Sequence, residues 1–135
     1  MFKNKKTILA SILFIASLKA FCGVVDHDRM YQAYLNNNMS VWKTELQKYT
    51  ASTDLTITDK LEISNYLYGY IATLLTDADK NKQEIIGWIE LWEKYLEEIE
   101  KATGKNAYVH VYRSSINAYK SKVKAGGMMV WGPRS

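Results

Sequence analysis

The apolar residues between Lys82 and Thr103 recur at the three- and four-residue spacing of an amphipathic helix. They are Ile85, Trp88, Ile89, Trp92, Tyr95, Leu96 and Ile99. The only proline of the chain is Pro133, so no strong helix breaker interrupts the residues before it. This pattern predicts a long helix and an all-α protein.

Four shorter amphipathic segments accompany this helix, which predicts about five helices after an amino-terminal leader. Asp26 and the turn-forming run Asn36–Asn38 supply caps for the first two. Asp59 and Glu62 have the spacing of a capping box, so we expect the third helix to open at Asp59. The other expected bounds are about Asp28–Leu35, Ser40–Tyr49, Lys82–Thr103 and Asn106–Lys124, with a loop at Thr50–Thr58 and a polar link at Thr76–Asn81.

The spacing also predicts how these helices pack. Trp88, Trp92 and Leu96 are expected in the core. Gly69 lies in the middle of the third helix and costs about 1 kcal/mol relative to Ala, so we expect it to permit the close approach of a neighbouring helix. Gly104 is expected to cap the fourth helix. The predicted apolar face of the fifth helix carries Tyr108, Val111, Tyr112, Ser115, Ile116 and Tyr119.

Residues Met1–Gly23 have the organisation of an export signal. Three lysines precede a short apolar core, Thr7–Leu18, and Ala20–Gly23 offers small residues to signal peptidase. The core of about 12 residues is too short to cross a bilayer, which takes roughly 20. We therefore expect a protein of the periplasm or cell envelope, whose helical-hairpin domain (residues 24–125) has no transmembrane helix.

The basic character of the chain belongs to this leader. The whole chain has a formal charge of +4 and a pI of about 9.0. The leader holds four of the 18 Lys and Arg residues and none of the 14 Asp and Glu residues. Its removal leaves 14 cations against 14 anions, a charge of zero. Nucleic-acid-binding domains keep a strong positive excess, so we expect no nucleic-acid partner.

Cys22 is the only cysteine, and it leaves two processing routes open. Signal peptidase can cut next to it, or Cys22 can become the lipidated first residue of a lipoprotein. Lys19 and Phe21 fit poorly at the positions three residues and one residue before a lipidated cysteine, which favours simple cleavage. Either route leaves the domain without an internal disulfide.

The helical segments resemble tetratricopeptide repeats. Leu67-Tyr68-Gly69-Tyr70 is similar to the Leu-Gly region of a repeat's first helix, and the fourth helix, with Gly87 near its start, is similar to the partner helix. Met30 to Trp42 resembles a second hairpin. The whole arrangement resembles the amino-terminal part of exported tetratricopeptide-like proteins of Gram-negative bacteria. The resemblance implies antiparallel helical hairpins and a scaffold that binds a protein or peptide, rather than a catalyst.

The polar clusters do not form a recognisable active site. Asp26-His27-Asp28 combines three ligand-type residues, but chain neighbours rarely converge on one ion, so a polar helix cap is the favoured interpretation. Glu90, Glu93, Glu97 and His110 also suggest a carboxylate-bridged metal site, but such bundles place Glu three residues before His, where this chain has Val24 and Ala107. A solvated acidic face is therefore the favoured interpretation. Neither a Ser-His-Asp nor a Cys-His arrangement is available. We expect no enzymatic activity, no cofactor and no metal.

The aromatic content points instead to binding. Ten tyrosines and four tryptophans are more than a small core can bury with every hydroxyl satisfied, so we expect some tyrosines to line an exposed groove. The candidate partner-binding residues are Tyr31, Tyr34, Tyr66 and Tyr70. Binding of a peptide or protein is the favoured function. The alternatives are a small-molecule or glycan site in a Tyr-rich groove, and a truncated remnant of a longer repeat protein.

Residues 126–135 form an apolar tail with several glycines, which stops just after Gly132-Pro133. Such a dipeptide more often introduces a further helix, and in the exported proteins that the chain resembles a Gly-Pro-(Lys/Arg)-Ser segment leads into further helices. We therefore expect the tail either to fold back on the last hairpin or to dock helices that this chain lacks. The second case predicts self-association through residues 126–135.

Overall fold

Five α-helices account for most of residues 23–127, the part of the chain that the computed structural model describes. No strand occurs among these residues, which confirms the all-α prediction. The predicted leader Met1–Gly23, except for Gly23 itself, and residues 128–135 of the predicted tail lie outside the described residues. The helices are α1 (His27–Leu35), α2 (Met39–Thr50), α3 (Ile57–Leu74), α4 (Ala78–Thr103) and α5 (Ala107–Gly127), with a 3-10 turn at Leu75–Asp77 between α3 and α4.

Polar side chains set the starts of α1 and α2 as the sequence predicts. The Asp26 carboxylate accepts the backbone N–H of Arg29 at 3.0 Å, and the Asn38 side chain accepts that of Val41 at 3.2 Å. Between the two helices, Asn37 adopts a left-handed backbone with φ of 50°, which asparagine tolerates better than most residues. The three asparagines therefore end one helix and begin the next.

The start of α3 differs from the prediction. The capping box is formed by Thr56 and Asp59, not by Asp59 and Glu62. The Thr56 hydroxyl accepts the Asp59 N–H at 3.0 Å, and the Asp59 carboxylate accepts the Thr56 N–H at 2.9 Å. The threonine fits the same spacing one turn earlier, so α3 begins at Ile57. Glu62 lies instead 3.3 Å from His27 of α1.

The polar link predicted at Thr76–Asn81 is also wrong. A 3-10 turn follows α3 directly, and α4 begins at Ala78, four residues before the expected start. Asp77 caps α4 by accepting the N–H of Lys80, and the Asn81 side chain donates to the Leu74 carbonyl at 3.0 Å. These polar side chains bond to backbone groups at the start of α4 and at the end of α3. The two helices therefore follow each other through the 3-10 turn, without a separate polar link.

Helix α4 is the centre of the fold, because α3 and α5 both pack on it. Its buried stripe contains Ile85, Ile89, Trp92, Tyr95, Leu96 and Ile99. This confirms the prediction for Trp92 and Leu96, whereas Trp88 is only partly buried and its indole N–H donates to Glu84 at 3.2 Å. Helix α5 also contacts α3, so these three helices enclose one end of the core.

Helices α1 and α2 cover the other part of α3 through aromatic contacts. The rings of Tyr34, Trp42, Tyr70 and Trp88 follow one another at centroid distances of 5.9–6.1 Å and link the first four helices. Arg29 of α1 also pairs with the buried Glu45 of α2 at 2.5 Å. Each helix thus packs on the next one along the chain, in agreement with the predicted helical hairpins.

The predicted face of α5 divides into two parts. Tyr112 and Ile116 turn inward with Val109 and Val123, while Tyr108 and Val111 are exposed. Helix α5 continues to Gly127, beyond the domain boundary predicted after residue 125. Gly104, at a φ of 77°, ends α4 as predicted, and its N–H donates to the Glu100 carbonyl.

Replacing Trp92 with Ala should cost about 3–5 kcal/mol of unfolding free energy, because the fully buried indole fills the space between α4 and α5. Urea unfolding of the purified domain measures this loss. Glu90→Ala on the exposed side of the same helix is the matched control and should change stability by less than about 0.5 kcal/mol. A loss below about 1 kcal/mol for Trp92→Ala would contradict the central position of α4.

The two glycines inside helices should respond to Ala in opposite directions. A Cβ on Gly69 would lie 3.1 Å from the Trp42 ring, which is itself held between Tyr34 and Tyr70, whereas a Cβ on Gly87 meets nothing within 4 Å. Gly87→Ala should therefore stabilise by up to about 1 kcal/mol through helix propensity. Gly69→Ala should destabilise, since overpacking costs about 1–3 kcal/mol. Thermal unfolding compares the two, and a higher Tm for Gly69→Ala would rule out close packing there.

Candidate functional site

A groove of about 390 Å³ lies between α3 and the first half of α5. Its lining residues are uncharged, and most of them are apolar or aromatic. They are Asn65, Tyr68, Ala107, Tyr108, Val111, Tyr112 and Ser115. The lining of α5 covers residues 107–115, about 12 Å at the 1.5 Å rise per residue of an α-helix.

The walls of the groove are large apolar side chains that the fold leaves in solvent. Tyr108 is 63% exposed, Val111 56% and Tyr68 48%. Tyr108 and Val111 lie three residues apart on α5, and Tyr68 faces them from α3. No other helix covers these three side chains among the described residues, so the groove is an apolar surface open to a partner.

The groove is built on the aromatic core beneath it. The Tyr112 ring lies 5.5 Å from the buried Trp92 ring and 6.3 Å from the Tyr108 ring. On the other side, Tyr119 stacks on Tyr68 at 5.9 Å and also contacts Trp92 at 6.2 Å. Five rings from three helices therefore form one connected cluster, which holds the exposed walls on a rigid base.

Hydrogen bonds inside the fold hold three of the polar side chains around the groove. The Tyr112 hydroxyl donates to the Asn65 side chain, and the Tyr119 hydroxyl donates to the Tyr68 carbonyl at 2.9 Å. The Ser115 hydroxyl donates to the Val111 carbonyl at 3.0 Å. The first two bonds tie α3 to α5 across the base of the groove.

The buried phenols of this cluster stay neutral at physiological pH. Burial, aided by the neighbouring Tyr108, raises the pKa of Tyr112 above its usual value. Burial also raises the pKa of Tyr119 to about 12, and Tyr68 adds to the effect. With no acidic or basic side chain in the lining, the groove offers shape and apolar area rather than charge.

The four tyrosines predicted to bind a partner do not come together. Tyr31 and Tyr34 are exposed on α1, as the prediction requires. Tyr66 is partly buried, and its hydroxyl shares a hydrogen bond of 2.8 Å with Nδ1 of His27. Tyr70 is only 2% exposed and donates to Glu84 at 2.6 Å, so its assignment to an exposed groove is wrong.

The groove between α3 and α5 is lined by other tyrosines, Tyr68, Tyr108 and Tyr112. One feature of the sequence indicates this groove. The apolar residues of α5 cover a wider arc than one packing partner can bury, since Tyr108 and Val111 add to the stripe formed by Val109, Tyr112 and Ile116. An arc wider than the core needs indicates a face available for binding.

Glu84 forms the best-satisfied polar cluster, and its role is structural. Its carboxylate accepts bonds from Tyr70 of α3 at 2.6 Å, Lys43 of α2 at 2.9 Å and the Trp88 indole at 3.2 Å. Burial raises the pKa of Glu84, but these three donors lower it by more, so the group stays ionised. The cluster joins three helices and presents no nucleophile.

Three of the residues considered as metal ligands are held by separate partners. Asp26 caps α1, while Nε2 of His27 lies 3.3 Å from Glu62. On α4, Glu93 pairs with Lys120 at 2.8 Å. Within residues 23–127, no three His, Cys, Asp or Glu side chains lie close enough together to hold a metal ion.

The stability of this protein should fall steeply at alkaline pH. The folded state raises the pKa of Tyr119 to about 12, whereas an unfolded tyrosine titrates near 10. The unfolded chain therefore loses its proton first, so the stabilisation is complete below about pH 10 and disappears as the pH rises towards about 12. Thermal unfolding across this range should show a falling Tm, and Tyr119→Phe should make the fall shallower. Tyr31→Phe on α1 is the control, and an unchanged slope for Tyr119→Phe would refute the assignment.

Comparison with known proteins adds no family to this description. Neither the models of known protein families, nor the curated proteins, nor the solved structures compared with this chain gave a match. Among the described residues, no helix combines the length and the apolar composition needed to cross a membrane. The groove between α3 and α5 is the feature of the described residues that most resembles a binding site.

Proposed function

We propose that this protein is an exported, non-catalytic helical scaffold that binds apolar side chains of a peptide or protein partner in the groove between α3 and α5. The observation that carries the proposal is the exposure of Tyr68, Tyr108 and Val111 around one groove of about 390 Å³. This volume falls within the roughly 300–1,000 Å³ typical of ligand pockets. Contiguous apolar surface of this kind marks interaction sites on proteins in water.

The chemistry of the lining supports a partner that contributes apolar side chains. Tyrosine is favoured at interfaces because it combines a large rigid ring with a polar edge. The uncharged lining provides no electrostatic attraction for phosphates, and the zero charge of residues 24–135 agrees with this. A groove about 12 Å long suits two turns of a helix or about four residues of an extended segment.

Export is the second part of the proposal. It is supported by the three lysines before the apolar core Thr7–Leu18, and by the loss of all net charge when the leader is removed. We place the protein in the periplasm or cell envelope, with Cys22 next to the cleavage point rather than lipidated. The likeness to tetratricopeptide scaffolds, carried by Leu67-Tyr68-Gly69-Tyr70, agrees with a binding function.

A small molecule or glycan is the second candidate ligand, and one observation favours it. Asn65 and Ser115 place polar groups among the tyrosine rings of the groove. Aromatic faces with polar groups between them suit a compact amphipathic ligand. An array of immobilised glycans separates this candidate from a peptide, because a peptide-binding groove would retain no glycan.

Filling the groove or removing one of its walls should weaken peptide binding. Peptides selected from a phage-displayed random library on the mature protein should be rich in large apolar residues. Ala107→Trp, at an exposed position on the rim, and Tyr108→Ala should each weaken their Kd by about tenfold or more, equivalent to about 1.4 kcal/mol. Titration calorimetry with the selected peptides measures the change.

Tyr31→Ala is the matched control, because Tyr31 is as exposed as Val111 but lies on α1, outside the groove. It should leave the Kd unchanged, and all three variants should keep a helical circular dichroism spectrum. Equal affinity of Ala107→Trp and the unmodified protein for the selected peptides would place the binding surface elsewhere.

A further inference from the structure

The Asp59 carboxylate is buried with one of its oxygens unsatisfied. The residue is 2% exposed, and one oxygen, Oδ2, accepts the Thr56 N–H at 2.9 Å in the capping box of α3. The other oxygen, Oδ1, is buried and has no hydrogen-bond donor among the described residues. A buried carboxylate oxygen without a partner is costly, so its surroundings indicate which group could satisfy it.

The backbone of Gly23 lies against Oδ1 of Asp59. A Cβ built on Gly23 would lie only 1.6 Å from Oδ1, so no side chain larger than hydrogen fits at this position. The φ of Gly23, 92°, also lies in the region that favours glycine. Because a Cβ is about 2.5 Å from its own backbone nitrogen, the Gly23 nitrogen lies within about 4 Å of Oδ1.

The residues after Gly23 hold it in place. Val25 is 8% exposed and belongs to the hydrophobic core, and the Asp26 N–H donates to the buried Tyr49 hydroxyl at 3.0 Å. The segment from Gly23 to the start of α1 is therefore anchored on α2, while Asp59 belongs to α3. Gly23 directly precedes this anchored segment, and its backbone contacts Asp59.

One of the cleavage points that the sequence allows lies directly before Gly23. Ala20 and Cys22 are small residues at the third and first positions before the Cys22–Gly23 bond, which is the pattern that signal peptidase accepts. Hydrolysis there adds water across the peptide bond. The Cys22 carbonyl leaves as a carboxylate, and the Gly23 nitrogen becomes an amine that is protonated at neutral pH.

We infer that signal peptidase cleaves between Cys22 and Gly23, and that the new α-ammonium group of Gly23 pairs with Oδ1 of Asp59. This inference rests on the proposed export. Before cleavage, Gly23 has one peptide N–H, and it does not donate to Oδ1. After cleavage, it has three rotatable N–H groups and a positive charge, which together supply the missing donor. Asp59 is thus a receptor for the processed amino terminus, and the processed protein is more stable than its precursor.

The central experiment compares two amino termini on the same domain, independently of export. A fusion protein cut in vitro directly before Gly23 yields the free glycine terminus, and a second fusion leaves one extra Ala before it. The free terminus should raise Tm by roughly 5 °C relative to the extended one, a shift typical of one good interaction in a domain of this size. In Asp59→Asn the two termini should give the same Tm.

Two further measurements do not depend on the folding of Asp59→Asn. The Gly23 α-amine should react with an acylating reagent at least about tenfold more slowly than the same amine in a denatured control, as followed by mass spectrometry. Asp28→Asn, an exposed carboxylate close to the amino terminus in sequence, should preserve both the Tm difference and the slow reaction. Equal Tm values for the free and extended termini, or rapid acylation of the α-amine, would overturn the ion pair.

The cleavage site is tested separately by the mass of the protein exported from a Gram-negative host. A first residue of Gly23 supports the inference. An acylated Cys22 terminus or a cut elsewhere overturns the processing step, and intact Met1 overturns the proposed export itself. The groove between α3 and α5 is unaffected by any of these outcomes.

Discussion

Burial of Trp92 is the interaction on which the rest of this structure depends. The indole lies on the central helix α4 and contacts the rings of Tyr112 and Tyr119, so it determines where α5 packs. Because α5 also contacts α3, the position of this helix sets the width of the groove between them. The same contacts therefore stabilise the core and hold the exposed residues Tyr108 and Val111 in place. A partner would meet a surface that is already formed, which reduces the entropy cost of binding.

The aromatic residues divide into two groups with different consequences. The chain from Tyr34 through Trp42 and Tyr70 to Trp88 links the first four helices, and the Tyr70 hydroxyl and the Trp88 indole N–H both donate to Glu84. The second group surrounds Trp92 and extends to the surface at Tyr68 and Tyr108. Both groups leave rings in solvent, Tyr34 in the first and Tyr68 and Tyr108 in the second. Only the exposed rings of the second group line one groove, and this is why the proposed binding site lies beside it.

Two carboxylates that contact or belong to α3, Glu84 and Asp59, differ in how their burial is compensated. Glu84 meets three donors from three helices, and its charge is stabilised within the described residues. Asp59 has a single donor for Oδ2 and none for Oδ1. The glycine packed against that oxygen is the residue that we infer to become the amino terminus after cleavage.

Periodicity along the chain determined the helices of this protein, because each amphipathic stripe is a local property of consecutive residues. The stripe of α4, the caps at Asp26 and Asn38 and the close contact at Gly69 all follow from sequence. Helix ends were less predictable, since Thr56 and Asp77 compete as caps with residues one turn away. Only the tertiary structure decided which tyrosines are available to a partner. Tyr68 and Tyr70 are two residues apart on one helix, yet Tyr70 is covered by α2 and α4 while Tyr68 remains in solvent, because exposure depends on which neighbours pack against each face.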